Sequence, residues 1–217
     1  MTASVSKMTS LPHELVSQNK KPLLILASAS PRRLELLAQI GIVPDRVIPA
    51  DLDETPRKGE LPRLYAKRLA HEKAALVASQ CQEPALILGA DTVVAVGRRI
   101  LQKAEDEDTA RRHLTLLSGR RHKVFTAIAL YPSAILPDSH VSERIVESYV
   151  TFTNMQPHHI DSLIAQGDWR GKAGSYALQG AAASYIRQMG GSPSAVIGLP
   201  LFETAQLLRG QPSFRVV

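Results

Sequence analysis

A single cysteine, Cys81, stands in 217 residues, so no intrachain disulfide can form and the chain suits a reducing compartment. No histidine or basic cluster adjoins it in sequence, so a reactive thiol is not expected. Aromatic residues are scarce at 5%, too few for a stacking platform along single-stranded nucleic acid. Zinc-finger spacing is absent too. No apolar run approaches the ~20 residues of a membrane span, and the first 20 residues lack the apolar stretch of a secretory signal. Neither GxxxxGK[ST] nor GxGxxG occurs, which excludes a P-loop and the dinucleotide fingerprint.

What is present reads as a cytoplasmic globular protein: 44% hydrophobic residues, 21% charged, and a net charge of +6. That charge admits an anionic partner, whether nucleic acid, nucleotide or phosphometabolite. The basic residues are dispersed in pairs such as Arg98-Arg99 and Arg120-Arg121, which weakens the case for nucleic acid as the main partner. The expected organisation is a flexible N-terminal extension over residues 1–21, one domain over 22–210 and a tail over 211–217.

Periodicity predicts a strand over Leu23 to Ala27, then a helix from Pro31 to Gly41 with Ser30 as its cap and Leu34, Leu37 and Ala38 on its apolar face. Residues 42–56 hold three prolines and the acidic cluster Asp51 to Glu54. A helix follows over 62–79, with apolar positions at Leu64, Leu69, Leu76 and Val77. Ala85 to Val96 reads as a strand covered on both faces. A turn at Gly97-Arg98-Arg99, a short strand around Ile100 and a helix from Glu105 to Leu117 come next. Lys123 to Leu130 and Arg144 to Phe152 read as antiparallel strands, Pro157 to Ala165 as a helix, Asp168 to Gly180 as a loop, Ser184 to Gln188 as a strand and Pro200 to Leu208 as a closing helix. Strands alternate with helices and a hairpin intervenes, so the class is α/β with a mixed sheet.

Two features point to chemistry. The first strand ends at a helix N-terminus, where free backbone N–H groups and the dipole favour an anion. Ser28, Ser30, Arg32 and Arg33 gather at that point, and a guanidinium fork matches phosphate oxygens. Ser-x-Ser-Pro is also an ordinary way to begin a helix, but first-turn arginines oppose the dipole and so suggest an anionic partner. The second feature is charge inside apolar patterns. Asp91 interrupts ALILGADTVVAV, where a carboxylate is costly unless paired, metal-bound or at the mouth of a strand; Gly89 before it suggests close backbone approach or a bulge. Lys73 has Leu69, Ala70, Leu76 and Val77 as helical neighbours, so its ammonium either snorkels outward or reaches a buried anion. Glu54 and Lys103 read by default as solvated. Together these groups suit a polyphosphate with a divalent cation.

The motifs LILASASPRRLELLAQIG, Asp53-Glu54, Arg68 to Ala74, Gly89-Ala90-Asp91-Thr92, Leu101-Gln102-Lys103, Leu117-Ser118-Gly119 with His122 and Thr126, Lys172 to Tyr176, Gln179-Gly180 and Val196 to Leu201 resemble those of the Maf family of nucleotide pyrophosphatases, over about residues 23–208. The resemblance implies a mixed sheet with two lobes around a cleft, shared with the inosine triphosphate pyrophosphatases. It also implies hydrolysis of nucleoside triphosphates to monophosphate and pyrophosphate with Mg2+ or Mn2+, and a homodimer. By that likeness Asp91 accepts the proton from water. Ser28, Arg32 and Arg33 grip phosphates, Glu54, Lys73 and Lys103 complete the polar site, and Asp91 with Glu54 meets the metal. Arg32, Thr92 and Gln179 resemble the subgroup that prefers dTTP and UTP; Gln179 is expected to face the pyrimidine edge, or to bond backbone as an ordinary loop glutamine. Where relatives often differ, this chain has Ala104, Pro193 and Trp169; the last packs at the cleft edge or in the core. The rival expectation is a binding protein for nucleic acid or division machinery without chemistry.

Overall fold

Five apolar residues, Leu23–Ala27, form strand β1, and Pro31 opens helix α1, Pro31–Gln39. This computed structural model describes residues 21–136, 138–212 and 214; the extension expected over 1–21 lies outside them except for Lys21. Ser30 occupies the cap position of α1, but its side chain makes no capping bond. Ser28 turns back instead, and its Oγ accepts from the Ser30 N–H at 3.2 Å. The buried face is Arg33, Leu36 and Leu37, and Ala38 is exposed. The expected stripe through Leu34, Leu37 and Ala38 is therefore offset, because Arg33 is drawn inward by bonds described below.

A two-residue strand, β2 (Arg46–Val47), precedes helix α2, Pro62–Gln80. Leu64, expected on its apolar face, is 54% exposed; Tyr65, Ala66, Leu69, Ala70, Lys73, Ala74 and Val77 form the buried stripe. Strands β3 (Ala85–Val96) and β4 (Arg99–Leu101) lie where the pattern predicts. Helix α3 is Glu107–Leu117, shorter at its start than expected because Asp106 accepts the Thr109 N–H at 2.6 Å and caps it there. Next come β5 (Arg121–Pro132), β6 (Ser142–Phe152) and α4 (Pro157–Gln166), which Gly167 ends at φ 74°. The strand expected over 184–188 begins two residues later, as β7, Ile186–Gly190, because a 3-10 turn, Ala181–Tyr185, takes up its first two residues. Pro193 opens a short helix that the sequence reading missed, α5 (Pro193–Ile197), and α6 (Leu201–Arg209) closes the fold.

Among the described residues the sheet has seven strands in the order β2-β1-β3-β5-β6-β7, with β4 also on β3. The β1–β2 and β1–β3 pairs are parallel and the others antiparallel, so the fold is α/β with a mixed sheet. Odd-numbered β3 residues such as Ile87 and Val93 pack against Leu69, Ala70 and Ala74 of α2. Even-numbered Leu86, Leu88 and Ala90 pack against α1 and α6 on the other face. The far ends of β3, β5 and β6 build a second lobe with α3, α4 and Trp169. Trp169 is core: it is buried and its indole N–H donates to the Ile164 carbonyl at 3.1 Å. Gln211 and Phe214 are also buried, and Gln211 Nε2 donates to the His140 carbonyl and to Ser142 Oγ, each at 3.0 Å.

Candidate active site

The long strand β3 shares one edge between two partners. Its pairing with β1 ends at Ala27 and Gly89, and its pairing with β4 begins at Val94. Residues 90–93 face that edge without a ladder partner among the described strands, and Asp91 lies in this opening. Its apolar flanks belong to the covered parts of the strand, so a carboxylate interrupts the run where the sheet parts.

Asp91 shares the α2 side of β3 with Gly89. A Cβ on Gly89 would stand 2.3 Å from the Ala70 carbonyl oxygen, so the missing side chain lets α2 approach closely. That approach carries Lys73 to the carboxylate. Its Nζ lies 2.7 Å from Asp91 Oδ1 and 2.8 Å from Glu54 Oε1. Lys73 therefore reaches a buried anion rather than snorkelling. Glu54 is held by its loop: Tyr65 Oη donates to the Glu54 carbonyl at 2.6 Å, and Arg68 donates to the Thr55 carbonyl at 3.2 Å. Arg68 also grips Glu60, and that hydrogen bond holds the Glu60 carboxyl down to about 2.

Burial pushes the Asp91 carboxyl above the usual range, against the pull of Lys73 and Arg33. Burial also opposes charge on Glu54, but the Lys73 hydrogen bond, the Lys73 charge and Lys103 hold its carboxyl below the usual range. Two carboxylates on one lysine are thus tuned apart: Glu54 stays ionised and Asp91 is the stronger base. Lys103, on the loop after β4, is mostly exposed and lies 3.7 Å from Glu54 Oε2.

The basic corner faces the same hollow, but its two arginines differ. Arg33 is buried; its Nη1 donates to Ser28 Oγ at 2.7 Å and its Nε to the Gly198 carbonyl at 2.9 Å. Desolvation lowers its pKa. It acts as a brace that aims Ser28 and ties α1 to the turn after α5. Arg32 remains half-buried on the cleft. Thr92 points to the opposite side of β3 from Asp91, where Thr126 Oγ1 lies 3.2 Å away and donates to the Ala195 carbonyl at 2.6 Å. Gln179 is exposed on the loop after α4.

All nine residues singled out by sequence line one cleft of about 450 Å³: Ser28, Arg32, Arg33, Glu54, Lys73, Asp91, Thr92, Lys103 and Gln179. A second hollow of about 280 Å³ shares Glu54, Asp91, Thr92 and Lys103 with it. The cleft adds two cations, Arg170 and Lys172, to which the residue-by-residue reading gave no role. Burial lowers the Lys172 pKa and nearby Arg32 lowers it further. Lys172 opens the family motif Lys172 to Tyr176, and its other sequence signal is its place among four glycines between 167 and 180, where the backbone is free to turn a side chain inward. Six cations thus face two carboxylates. Among the described residues no three His, Cys, Asp or Glu side chains converge on one point. Glu54 and Asp91 alone fit the way Mg2+ is held by one or two carboxylates, its remaining positions being taken by substrate phosphates and water.

The solved structure of a Ham1 protein from Staphylococcus aureus matches at 16% identity and a TM-score of 0.38, covering 59% of this chain and 71% of that one. A dTTP/UTP pyrophosphatase of Gluconobacter oxydans is 68% identical over 192 residues, 88% of each chain. One from Zymomonas mobilis is 57% identical over 185 residues, covering 85% of this chain and 89% of that protein. The family model described as Maf-like protein matches residues 23–211, which takes in every residue of the cleft. With nearly the whole fold covered by that match, this chain belongs to the Maf-like protein family.

Proposed function

We propose that this protein hydrolyses pyrimidine nucleoside triphosphates, dTTP and UTP together with modified pyrimidine relatives, to the monophosphate and pyrophosphate. In the cytoplasm such an activity clears the nucleotide pool. The observation that carries the reading is the Asp91–Lys73–Glu54 bridge, buried at Asp91 and Lys73 and open through Glu54 to a cleft whose other charges are cationic. The names of the relatives support the same substrate. A homodimer belongs to this reading as well.

In this mechanism water attacks the α-phosphorus in line with the bond to the bridging oxygen. That bond breaks, pyrophosphate leaves, and Asp91 takes the proton of the attacking water. Lys73 occupies Asp91 Oδ1 and leaves the other oxygen to accept it. Ser28, aimed by Arg33, holds the phosphates together with Arg32 and Lys172, while Lys103 balances charge growing on the departing pyrophosphate. Glu54 and Asp91 would hold a divalent cation, Mg2+ or Mn2+, which neutralises phosphate oxygens and polarises the reacting phosphorus. The Gln179 amide pairs with the N3–H and O4 edge of the pyrimidine.

A nucleotide panel with identified products, run with and without chelator, tests this. Pyrophosphate from dTTP and UTP, lost with chelator, is the expected result. Orthophosphate would mean attack at the terminal phosphate, and no product at all would favour a binding protein. Asp91→Asn is expected to lower kcat at least 100-fold, as for loss of a general base, with urea unfolding still cooperative. For the wild type, kcat/KM should fall on acidification as Asp91 takes up a proton and ceases to act as a base.

A further inference from the structure

The cleft wall contributed by residues 170–179 bends sharply at a position that seldom bends this way. Gly174 and Ser175 both have positive φ, 69° and 62°. Glycine adopts that region freely, but a serine there is strained and needs support from its surroundings. Ser175 is 1% exposed, so water does not supply it. The room beside Gly174 is also closed, since a Cβ there would stand 2.7 Å from Val94 Cγ1.

Support comes from two histidines on the second lobe. Ser175 Oγ and His113 Nδ1, on α3, are hydrogen-bonded at 2.8 Å. The next residue, Tyr176, has its Oη hydrogen-bonded to Nε2 of His122, on β5, also at 2.8 Å. The two rings meet edge to face at 5.4 Å, and Phe152 closes on Tyr176 at 5.0 Å. Neither histidine lines the cleft. Lys172 stands three residues before this doubly held bend and Gln179 three residues after Tyr176, and both line the cleft.

We infer that His113 and His122 are positioning residues that latch consecutive hydroxyls, Ser175 and Tyr176, and so present Lys172 and Gln179 to the nucleotide as one rigid wall. The inference rests on the proposed reading that the cleft takes a pyrimidine triphosphate. Neither imidazole touches the substrate. The latch pre-organises contacts made in the ground state and the transition state alike, so its loss raises KM and leaves kcat nearly unchanged.

The test uses the full chain with His113→Ala, Ser175→Ala and His113→Asn, the last placing an amide near the position of Nδ1. His113→Ala and Ser175→Ala are each expected to raise KM for dTTP and UTP roughly three- to tenfold, the worth of one hydrogen bond. The fall in kcat should stay within about twofold. Their combination should cost little more than either alone, since both remove one bond. His113→Asn should recover most of the loss. Amide hydrogen exchange over 171–180 should quicken in both alanine variants and return toward wild type with Asn, while the thermal midpoint stays close to wild type. An unchanged KM overturns the latch. So does exchange that is unaltered over 171–180, or that quickens across the whole fold. A wild type that releases no pyrophosphate refutes the nucleotide reading instead, and the exchange experiment then decides the latch by itself.

Discussion

His122 is a buried imidazole with Tyr176 on its Nε2 and the Phe152 ring at 5.5 Å. Burial pushes its pKa down to about 4, against an ordinary value near 6.5. Because the folded value lies below the unfolded one, the unfolded chain binds the extra proton first as pH falls. Its contribution is full above about pH 6.5 and is lost progressively toward pH 4, amounting to about 3 kcal/mol. Urea unfolding of wild type and His122→Gln between pH 4 and 7 measures this. The variant should lose that part of the pH slope, and equal slopes in the two proteins would remove the assignment. The same scale explains why Asp91 and Lys73 stand out against the hydrophobic pattern while Lys172 is marked by the family motif alone. A charge in an apolar run is conspicuous because burying it is costly. Lys172 sits among glycines and polar residues, where a lysine attracts no notice.

Between elements, the contact that assembles the site is α2 on β3. Gly89 leaves room for the Ala70 carbonyl and the Ala74 Cβ, which a methyl group would meet at 2.3 Å and 2.8 Å. Neither obstacle is the end of a flexible side chain, so Gly89→Ala must push the helix away. The expected result is a loss of about 2–3 kcal/mol in urea unfolding, typical of overpacking. A drop in kcat should accompany it as Lys73 withdraws from Asp91. A variant that unfolds at the wild-type urea concentration with full kcat would show that the close approach is dispensable. Sequence alone allowed either a close approach or a bulge at Gly89. The ladder runs through Gly89 to Ala129 and Ala27 without a shift, so the structure decided for close approach.

Over the whole molecule, charge is distributed to suit a polyanion. The chain carries +6, and the cleft concentrates six cations around two carboxylates. Such a field raises the affinity for a triphosphate and is screened by salt, with a Debye length of about 10 Å at 0.1 M and about 3 Å at 1 M. KM for dTTP should therefore rise about fivefold between roughly 0.05 and 0.5 M monovalent salt. Inhibition by an uncharged nucleoside should change little over the same range. A flat KM would mean that neutral contacts dominate binding.

Hydrophobic period and breaker residues were enough to locate β1, α2, β3, β5, β6 and α4 to within a few residues, because each carries a local pattern long enough to read. They also exposed the ionisable groups that the pattern does not explain. The orientation of α1 depended on a distant partner, and the helix at Pro193, capped locally by Ser192, is at five residues too short for its period to be read. Arg33 turns inward because Ser28 Oγ and the Gly198 carbonyl, the latter 165 residues further along, are both there to receive it. The union of nine scattered side chains in one cleft was likewise decided by the tertiary structure. A strand whose edge is shared between β1 and β4 opens at Asp91, and no local period records where two other strands stop. Local sequence governs which backbone conformation a segment favours; only the packed chain determines which groups are close enough to tune one another's charge.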